Sequence, residues 1–409
     1  MKHYLILVLS AFSLLTACEK EDPNFIPKRK DLILTRSGAE IIDASYDFSF
    51  NLFKEVAKDK DYRNVFLSPL SALIANCMLA NGAGGETYDQ IITTIGYEGY
   101  SLEDINGTYQ TVVKGLSSVD TSTKLGLANS LWLSKNYFVY DKYKKSVVEN
   151  YGGYVGELDF SSNNSLNDIN KWVSQKTGGN ISNILDDFSS DIKVIIANAL
   201  YFKGKWKEKF NSEQTRRGEF KALDGSTVDK SFMYTSTKLL YGESEDGLIR
   251  MCEIPYGNGA FVLDIIVPEE SVDFRGFIDS LSGEEWSSLF TYKNTHEVNL
   301  YLPKFKIESD LNLNNYLVSL GMNLPYELGK ADFTRLSNIP LVINETRQKA
   351  IIEVDENGTT AASSTYLKGD WNLLPGPGDV IQFRADHSFM FIIREITSNT
   401  VIFIGTLTE

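Results

Sequence analysis

Apolar positions near the start of the chain body recur with a helical rhythm. Ile42, Tyr46, Phe50, Phe53 and Val56 fall every three or four residues, which puts them on one side of a helix over about 39–58. A second helix follows Ser68, whose hydroxyl suits the cap position, with Pro69 in the first turn. Its apolar run to Ala80 stops at Gly82, a residue that ends helices cheaply. Further along the rhythm changes. Segments 194–202, 261–267, 297–302, 339–344, 350–354, 389–396 and 401–406 are apolar or β-branched, with turn residues between them, and predict strands. No period repeats and no shift in composition marks a boundary, so one α+β domain over 37–409 is expected.

The residues before that domain carry a different pattern. Met1-Lys2-His3 is a short positive start, 4–15 is apolar, and Leu15-Thr16-Ala17-Cys18 is a small-residue cleavage site ending in cysteine. This resembles a bacterial lipoprotein signal, with an ordinary signal peptide as the plainer alternative. The resemblance implies a signal peptide over 1–17 and a tether over 18–36, lipidated on Cys18 and held to a bilayer by acyl chains rather than a spanning helix. The tether is polar, with Glu19-Lys20-Glu21-Asp22 and then Lys28-Arg29-Lys30. A lysine followed by two acids near the lipidated cysteine also resembles an export signal of Gram-negative lipoproteins, although a solvated linker would look the same. The localisation expected from it is the outer membrane, exposed at the cell surface, with a periplasm-facing placement as the alternative. No other apolar run approaches the ~18 residues of a membrane span.

Charge and residue counts exclude several kinds of function. The net charge is −14 and no Lys/Arg block makes a phosphate-binding stripe, which argues against nucleic acid as a partner. Cys77 and Cys252 lie in apolar stretches and read as buried hydrophobes, not as a disulfide. Of the three histidines, His3 leaves with the signal, while His296 and His387 stand alone. No metal or cofactor is therefore expected, and no HExxH motif is present. Gly82-Ala83-Gly84-Gly85-Glu86-Thr87 lacks the Lys-Ser/Thr ending of a phosphate loop and reads as a helix-ending turn. There is no Gly-x-Ser-x-Gly elbow, and nothing selects a catalytic pair among the 54 acids. The chain is expected not to be an enzyme.

One stretch stands apart: Glu356-Asn357-Gly358, then seven small residues from Thr359 to Thr365, in the run Thr-Thr-Ala-Ala-Ser-Ser-Thr after the glycine. A flexible linker would look the same. Here, however, it follows a predicted strand and leads through 366–378 back into strand-forming sequence, a length of loop that is usually functional. In an extended chain Thr359, Ala361, Ser363, Thr365 and Leu367 would share one face. That face is thin enough to enter between two existing strands, where a bulky or charged face would be kept out.

This segment resembles the reactive-loop hinge of serpins, and other blocks agree in the expected order. Asn64-Val65-Phe66-Leu67-Ser68-Pro69-Leu70-Ser71, Ala128-Asn129-Ser130-Leu131-Trp132 and Asn198-Ala199-Leu200-Tyr201-Phe202-Lys203-Gly204-Lys205-Trp206 are among them, with Leu302-Pro303-Lys304-Phe305 further on. The resemblance implies a serpin fold of three β-sheets and about nine helices, with an exposed reactive-centre loop over about 356–378. It implies a monomeric inhibitor of serine-type proteases, with cysteine proteases as a second target class. The protease attacks the loop as a substrate, and the hinge then inserts into the central sheet and carries the acyl-enzyme with it. The hinge residues would be Glu356, Gly358, Thr359, Ala361, Ala362 and Ser363. Ser68, Ser71, Asn198 and Gln348 would lie under the central sheet where strands part, and Trp206 near the loop's entry point.

Counting from Glu356 as the family does puts the reactive bond at Asn372–Leu373, with Lys368 and Trp371 as alternatives because the span to Phe383 is a few residues longer than usual. Three departures matter: Gln348 replaces the usual histidine, Ser388 replaces a proline, and the C-terminal proline is absent. Gln348 can still donate and accept hydrogen bonds, so altered opening energetics are expected, not lost function. A non-inhibitory serpin acting as carrier, adhesin or chaperone is the alternative, and a glycan-binding surface module is a third class.

Overall fold

The computed structural model describes residues 27–187, 192–289, 291, 293–359 and 380–409. Among them are nine α-helices: α1 Arg36–Asp59, α2 Pro69–Gly82, α3 Gly85–Thr94, α4 Leu102–Leu116, α5 Asp141–Tyr151, α6 Asn163–Lys176, α7 Phe274–Ser280, α8 Gly283–Leu289 and α9 Asn314–Ser319. The first half of the chain supplies strands β1 Phe66–Leu67, β2 Lys124–Ser134, β3 Tyr154–Leu158 and β4 Val194–Lys203. Then come β5 Arg216–Lys221, β6 Thr227–Glu243, β7 Ile249–Pro255, β8 Phe261–Pro268, β9 Asn294–Pro303 and β10 Phe305–Asn312. The last are β11 Glu345–Asp355, β12 Gly358–Thr359, β13 Ile381–Arg384, β14 Phe389–Glu395 and β15 Val401–Leu407.

Local chemistry explains the two helices read from the pattern. Thr35 Oγ1 accepts from Gly38 N at 3.0 Å, so α1 starts slightly earlier than the apolar spacing predicts. Ser68 Oγ accepts from Ser71 N at 3.1 Å and Pro69 occupies the first turn, which places the start of α2 where expected. Nearly every α2 side chain is buried, because the helix runs beneath the large sheet and packs on β2, β4 and β15.

The large sheet has the order β10-β11-β4-β2-β3, with the short β12 beside β11. Along β11, Gln348, Ala350, Ile352 and Val354 face inward to the main core, while Arg347, Lys349, Ile351 and Glu353 face outward. α6 covers part of the outer face, where Ile169 and Val173 pack with Ala128, Trp132, Ile195 and Ala197 in a second apolar cluster. The remaining strands run β1-β15-β14-β8-β7-β6-β9-β13, with β5 on β6. The two smaller sheets of the expected architecture are thus continuous in hydrogen bonding, because the 17-residue β6 runs through both.

One expected strand is absent. Residues 339–344 form irregular chain, with Ile343 N bonded to Pro325 O at 2.9 Å. Pro340 has no N–H to give a ladder, and Asn344 Oδ1 takes Lys193 N and Val194 N at 2.9 and 3.0 Å. The segment's apolar residues Leu341 and Ile343 are buried by tertiary packing without a strand. Cys77 and Cys252 are free thiols, buried as expected, and burial pushes both thiols far above their ordinary pKa.

Candidate functional site

β4 and β11 are parallel and pair directly, from Glu345 opposite Ile195 to Ile351 opposite Tyr201. Past that register the two strands extend toward one end of the sheet, and there β11 turns back on itself. Gly358 and Thr359 form β12, antiparallel to Asp355 and Val354, and Gly358 also bridges Lys205 in antiparallel fashion. Two residues of an antiparallel strand therefore sit at the open ends of two parallel ones.

The turn is held from every side. Trp206 donates from its backbone N to Asn357 O at 3.1 Å and from Nε1 to Asp355 O at 2.7 Å. Phe210 N reaches Glu356 O at 3.2 Å and Thr359 N reaches Gly204 O at 2.7 Å. The Thr359 side chain points inward, 1% exposed, with Oγ1 2.7 Å from the Tyr256 hydroxyl. Tyr256 stacks on Trp206 with ring centroids 4.5 Å apart. Gly358 has φ +142°, and a Cβ there would lie 2.0 Å from Gly204 O, so this position requires glycine.

Glu356 is 7% exposed, yet it remains charged. Burial opposes its ionisation, but Lys304 Nζ at 2.8 Å from Oε2 and the Thr215 hydroxyl at 2.7 Å from Oε1 outweigh burial and hold the carboxyl below its ordinary pKa. The neighbouring Asp355 moves the other way, because burial dominates there and the Glu356 charge adds to it.

Midway along the sheet a second group gathers. One row crosses four strands: Leu311 on β10, Gln348 on β11, Asn198 on β4 and Asn129 on β2. Ser68 and Ser71, at the start of α2, lie beneath it. Gln348 Oε1 accepts from Ser68 N at 2.9 Å and its Nε2 donates to Ser68 O at 2.8 Å. Ser68 Oγ donates to Ile402 O at 2.7 Å, and Ser71 Oγ donates to Asn129 Oδ1 at 3.3 Å. Asn198 is fully buried, and neither atom of its amide has a hydrogen-bond partner among the described residues.

The structure thus brings Glu356, Gly358, Thr359 and Trp206 together at one end, and Ser68, Ser71, Asn198 and Gln348 in the middle. Gln348 bonds Ser68 through both its amide oxygen and its amide nitrogen, and makes no hydrogen bond to Asn198 among the described residues. Cys18, Ala361, Ala362, Ser363, Lys368, Trp371, Asn372 and Leu373 lie outside the described residues. Sequence reasoning did not single out Tyr256, Thr215, Lys304 or Asn129. Lys304 and Asn129 fall inside quoted motifs, but nothing in their spacing shows a partner 52 or more residues away, and the Thr215 contact spans 141 residues. His387 is mostly buried between Asp386 Oδ1 at 3.0 Å and Pro268 O at 2.7 Å, away from both groups.

The family described as Serpin (serine protease inhibitor) matches residues 43–409. The chain is a serpin. It is 30% identical over 371 residues to the leukocyte elastase inhibitor of Xenopus laevis, covering 88% of this chain and 96% of that protein. It is 31% identical over 373 residues to human serpin B9, covering 89% and 97%. Among solved structures, the thermophilic serpin tengpin in its native state superposes with a TM-score of 0.83 at 30% identity, over 94% of this chain and 97% of that one. Thyroxine-binding globulin in complex with thyroxine shares the fold at 22% identity, with a TM-score of 0.81 over 90% and 99% of the two chains. The Xenopus relative is named as an elastase inhibitor, and the family is described as one of serine protease inhibitors, not of enzymes.

Proposed function

We propose that this serpin inhibits serine-type endopeptidases as a suicide substrate, with cysteine proteases as a second target class. The observation that supports this most is the direct pairing of β4 with β11 while β12, antiparallel to both, stands at their open end. Continuing the register of Val354 opposite Thr359 would set Ala361 opposite Ile352, Ser363 opposite Ala350 and Thr365 opposite Gln348. Each partner on β11 faces inward, so the small residues would enter the core face and no charge would be buried.

In this reading the protease nucleophile attacks the carbonyl of Asn372, and the bond to Leu373 breaks to give an ester to the enzyme and a free amine on Leu373. Lys368 and Trp371 are the alternative sites of attack. The freed hinge then inserts between β4 and β11. The distance from Gly358 to the bond, at ~3.3 Å per residue, is about 46 Å, roughly twice the ~21 Å radius of gyration of such a domain. The protease is carried the length of the body. Loss of even one oxyanion-hole donor slows deacylation about 10²–10³-fold, so a protease distorted at several groups stays trapped. The inhibitor acts as a monomer and is tethered through lipid on Cys18 at the outer membrane, facing the cell surface.

The test is to incubate the soluble chain, starting after Cys18, with trypsin-, chymotrypsin- and elastase-like proteases. A complex that survives denaturing electrophoresis, with a released peptide beginning at Leu373, is the expected result. A different first residue moves the bond. Clean cleavage with every protease still active, and no rise in the inhibitor's thermal stability, would overturn the inhibitory reading in favour of a carrier or adhesin.

A further inference from the structure

Although the chain carries a net charge of −14, the hinge end of its body is basic. At the end of β4 and just past it, the exposed Lys203, Lys205 and Lys207 alternate with the buried Phe202, Gly204 and Trp206. Lys124 stands directly opposite Lys203 in the β2–β4 ladder. Like charges facing each other across a ladder repel and lower stability, so this pair is a cost to the fold.

The N-terminal segment docks on the same end. Lys30 N donates to Val119 O at 3.3 Å, and Leu32 is 5% exposed with its N donating to Thr397 Oγ1 at 2.8 Å. Arg29 lines a cavity of about 220 Å³ together with Lys207 and Lys238. Gly257 N, in the turn that closes this cavity, reaches Lys205 O at 2.8 Å, which joins the segment's neighbourhood to the hinge. Arg29 and Lys238 are paired with Asp31 and Glu297, and Glu208 is an exposed acid within the run. Lys28, Lys30, Lys124, Lys203, Lys205 and Lys207 are exposed and have no carboxylate within ion-pair distance among the described residues.

We infer that this lysine collar is a docking surface for the phosphate headgroups of an anionic bilayer. The inference rests on the lipid tether proposed above. Nine residue steps separate Cys18 from Pro27, so the chain between them spans at most about 32 Å even when fully extended. Acylation of Cys18 therefore keeps the collar close to the membrane, and the polyanion within reach is the lipid surface.

The experiment uses the mature chain with Cys18→Ser, so that no acyl chain contributes, and flotation with phosphatidylcholine vesicles with or without phosphatidylglycerol. The expected result is binding to the phosphatidylglycerol vesicles alone, released by high salt. Each lysine near such a surface contributes about fivefold in affinity, so the triple variant Lys124→Gln, Lys203→Gln, Lys207→Gln binds about a hundredfold more weakly. Its melting temperature stays level or rises, since the repulsion of Lys124 and Lys203 is gone, which separates lost docking from lost folding. No binding to the anionic vesicles, or equal binding by the triple variant, overturns the inference. Tighter binding to a sulfated glycan than to the vesicles assigns the collar to a glycan and overturns the lipid reading. Protease inhibition, measured without vesicles on the same proteins, is unchanged by the triple variant. If neither protein inhibits while the vesicle result holds, the inhibitor reading fails and the docking surface stands.

Discussion

The two ends of the path that a loop strand would follow into this serpin's large sheet are built differently. At the hinge, Glu356 is ionised against Lys304 and Thr215, the backbone of 355–359 is bonded to Trp206, Phe210 and Gly204, and Gly358 fits where a Cβ would collide. In the middle of the sheet, Gln348 holds the Ser68 backbone through both amide atoms, and Asn198 is buried with an amide that has no hydrogen-bond partner among the described residues. A buried amide without partners costs about 1–3 kcal/mol. The closed sheet is therefore locked tightly where entry begins and is under-satisfied further in. Such an arrangement resists opening until the hinge is displaced and rewards a strand that then travels inward, which fits a kinetically held state.

The comparison breaks most visibly at Thr359. Thr359→Arg puts a charge where the inward hydroxyl now meets Tyr256, so insertion stalls and the protein becomes a substrate. Trapped complex on denaturing gels falls to background while cleavage of the loop continues; a persisting complex shows that this face does not enter the sheet.

Lys304→Met removes one partner of a largely buried ion pair and lowers stability by about 3 kcal/mol at neutral pH. The pH dependence supplies a second check. Glu356 has a folded pKa below its ordinary value of 4.5, so its contribution is complete above pH 4.5 and is lost as pH falls through the lower folded value. The gap in denaturation midpoint between wild type and Lys304→Met closes along that same fall. A gap that stays constant down to strongly acidic pH would show that the pair does not carry the difference.

Gln348→Ala leaves the buried N–H of Ser68 without its partner, while the Ser68 carbonyl keeps Ala72 N at 3.2 Å, and costs about 2 kcal/mol, read from urea unfolding. The smallest effect has the opposite sign. Asn198→Leu removes the bare amide and leaves the closed form unchanged or about 1 kcal/mol more stable, since an apolar group of similar shape needs no partner. Continuing the β11 register sets Thr365 opposite Gln348, whose neighbour on β4 is Asn198, so insertion offers that amide a hydroxyl. Asn198→Leu and Thr365→Val should therefore each shrink the thermal-stability gain on loop cleavage, and their effects should not add. Additive effects would separate the two residues.

Much of this was legible in the chain itself. The apolar spacing of α1, the Ser68-Pro69 start of α2 and the β-branched runs of β4, β8, β14 and β15 reflect local rules that tertiary packing did not overturn. The inward face of Thr359 was readable from the chain, because period two assigns faces without knowledge of partners. Residues 339–344 were misread because a β-branched run near Pro340 looks like a strand until Asn344 is seen taking the ladder positions of Lys193 and Val194.

What the sequence alone determined was which segments could be helices and strands, that the chain resembles a serpin, and that the residues after Gly358 are small. These properties depend on each residue and its near neighbours. Tertiary structure alone decided that Glu356 meets Lys304 and Thr215, that Gln348 bonds the Ser68 backbone, and that Asn198 has no hydrogen-bond partner among the described residues. It also decided that the lysines of β2 and β4 share an end with the docked N-terminal segment. Each of those facts joins residues tens to hundreds of positions apart. The energy of a buried charge or amide depends on what surrounds it in space, and no local pattern records that.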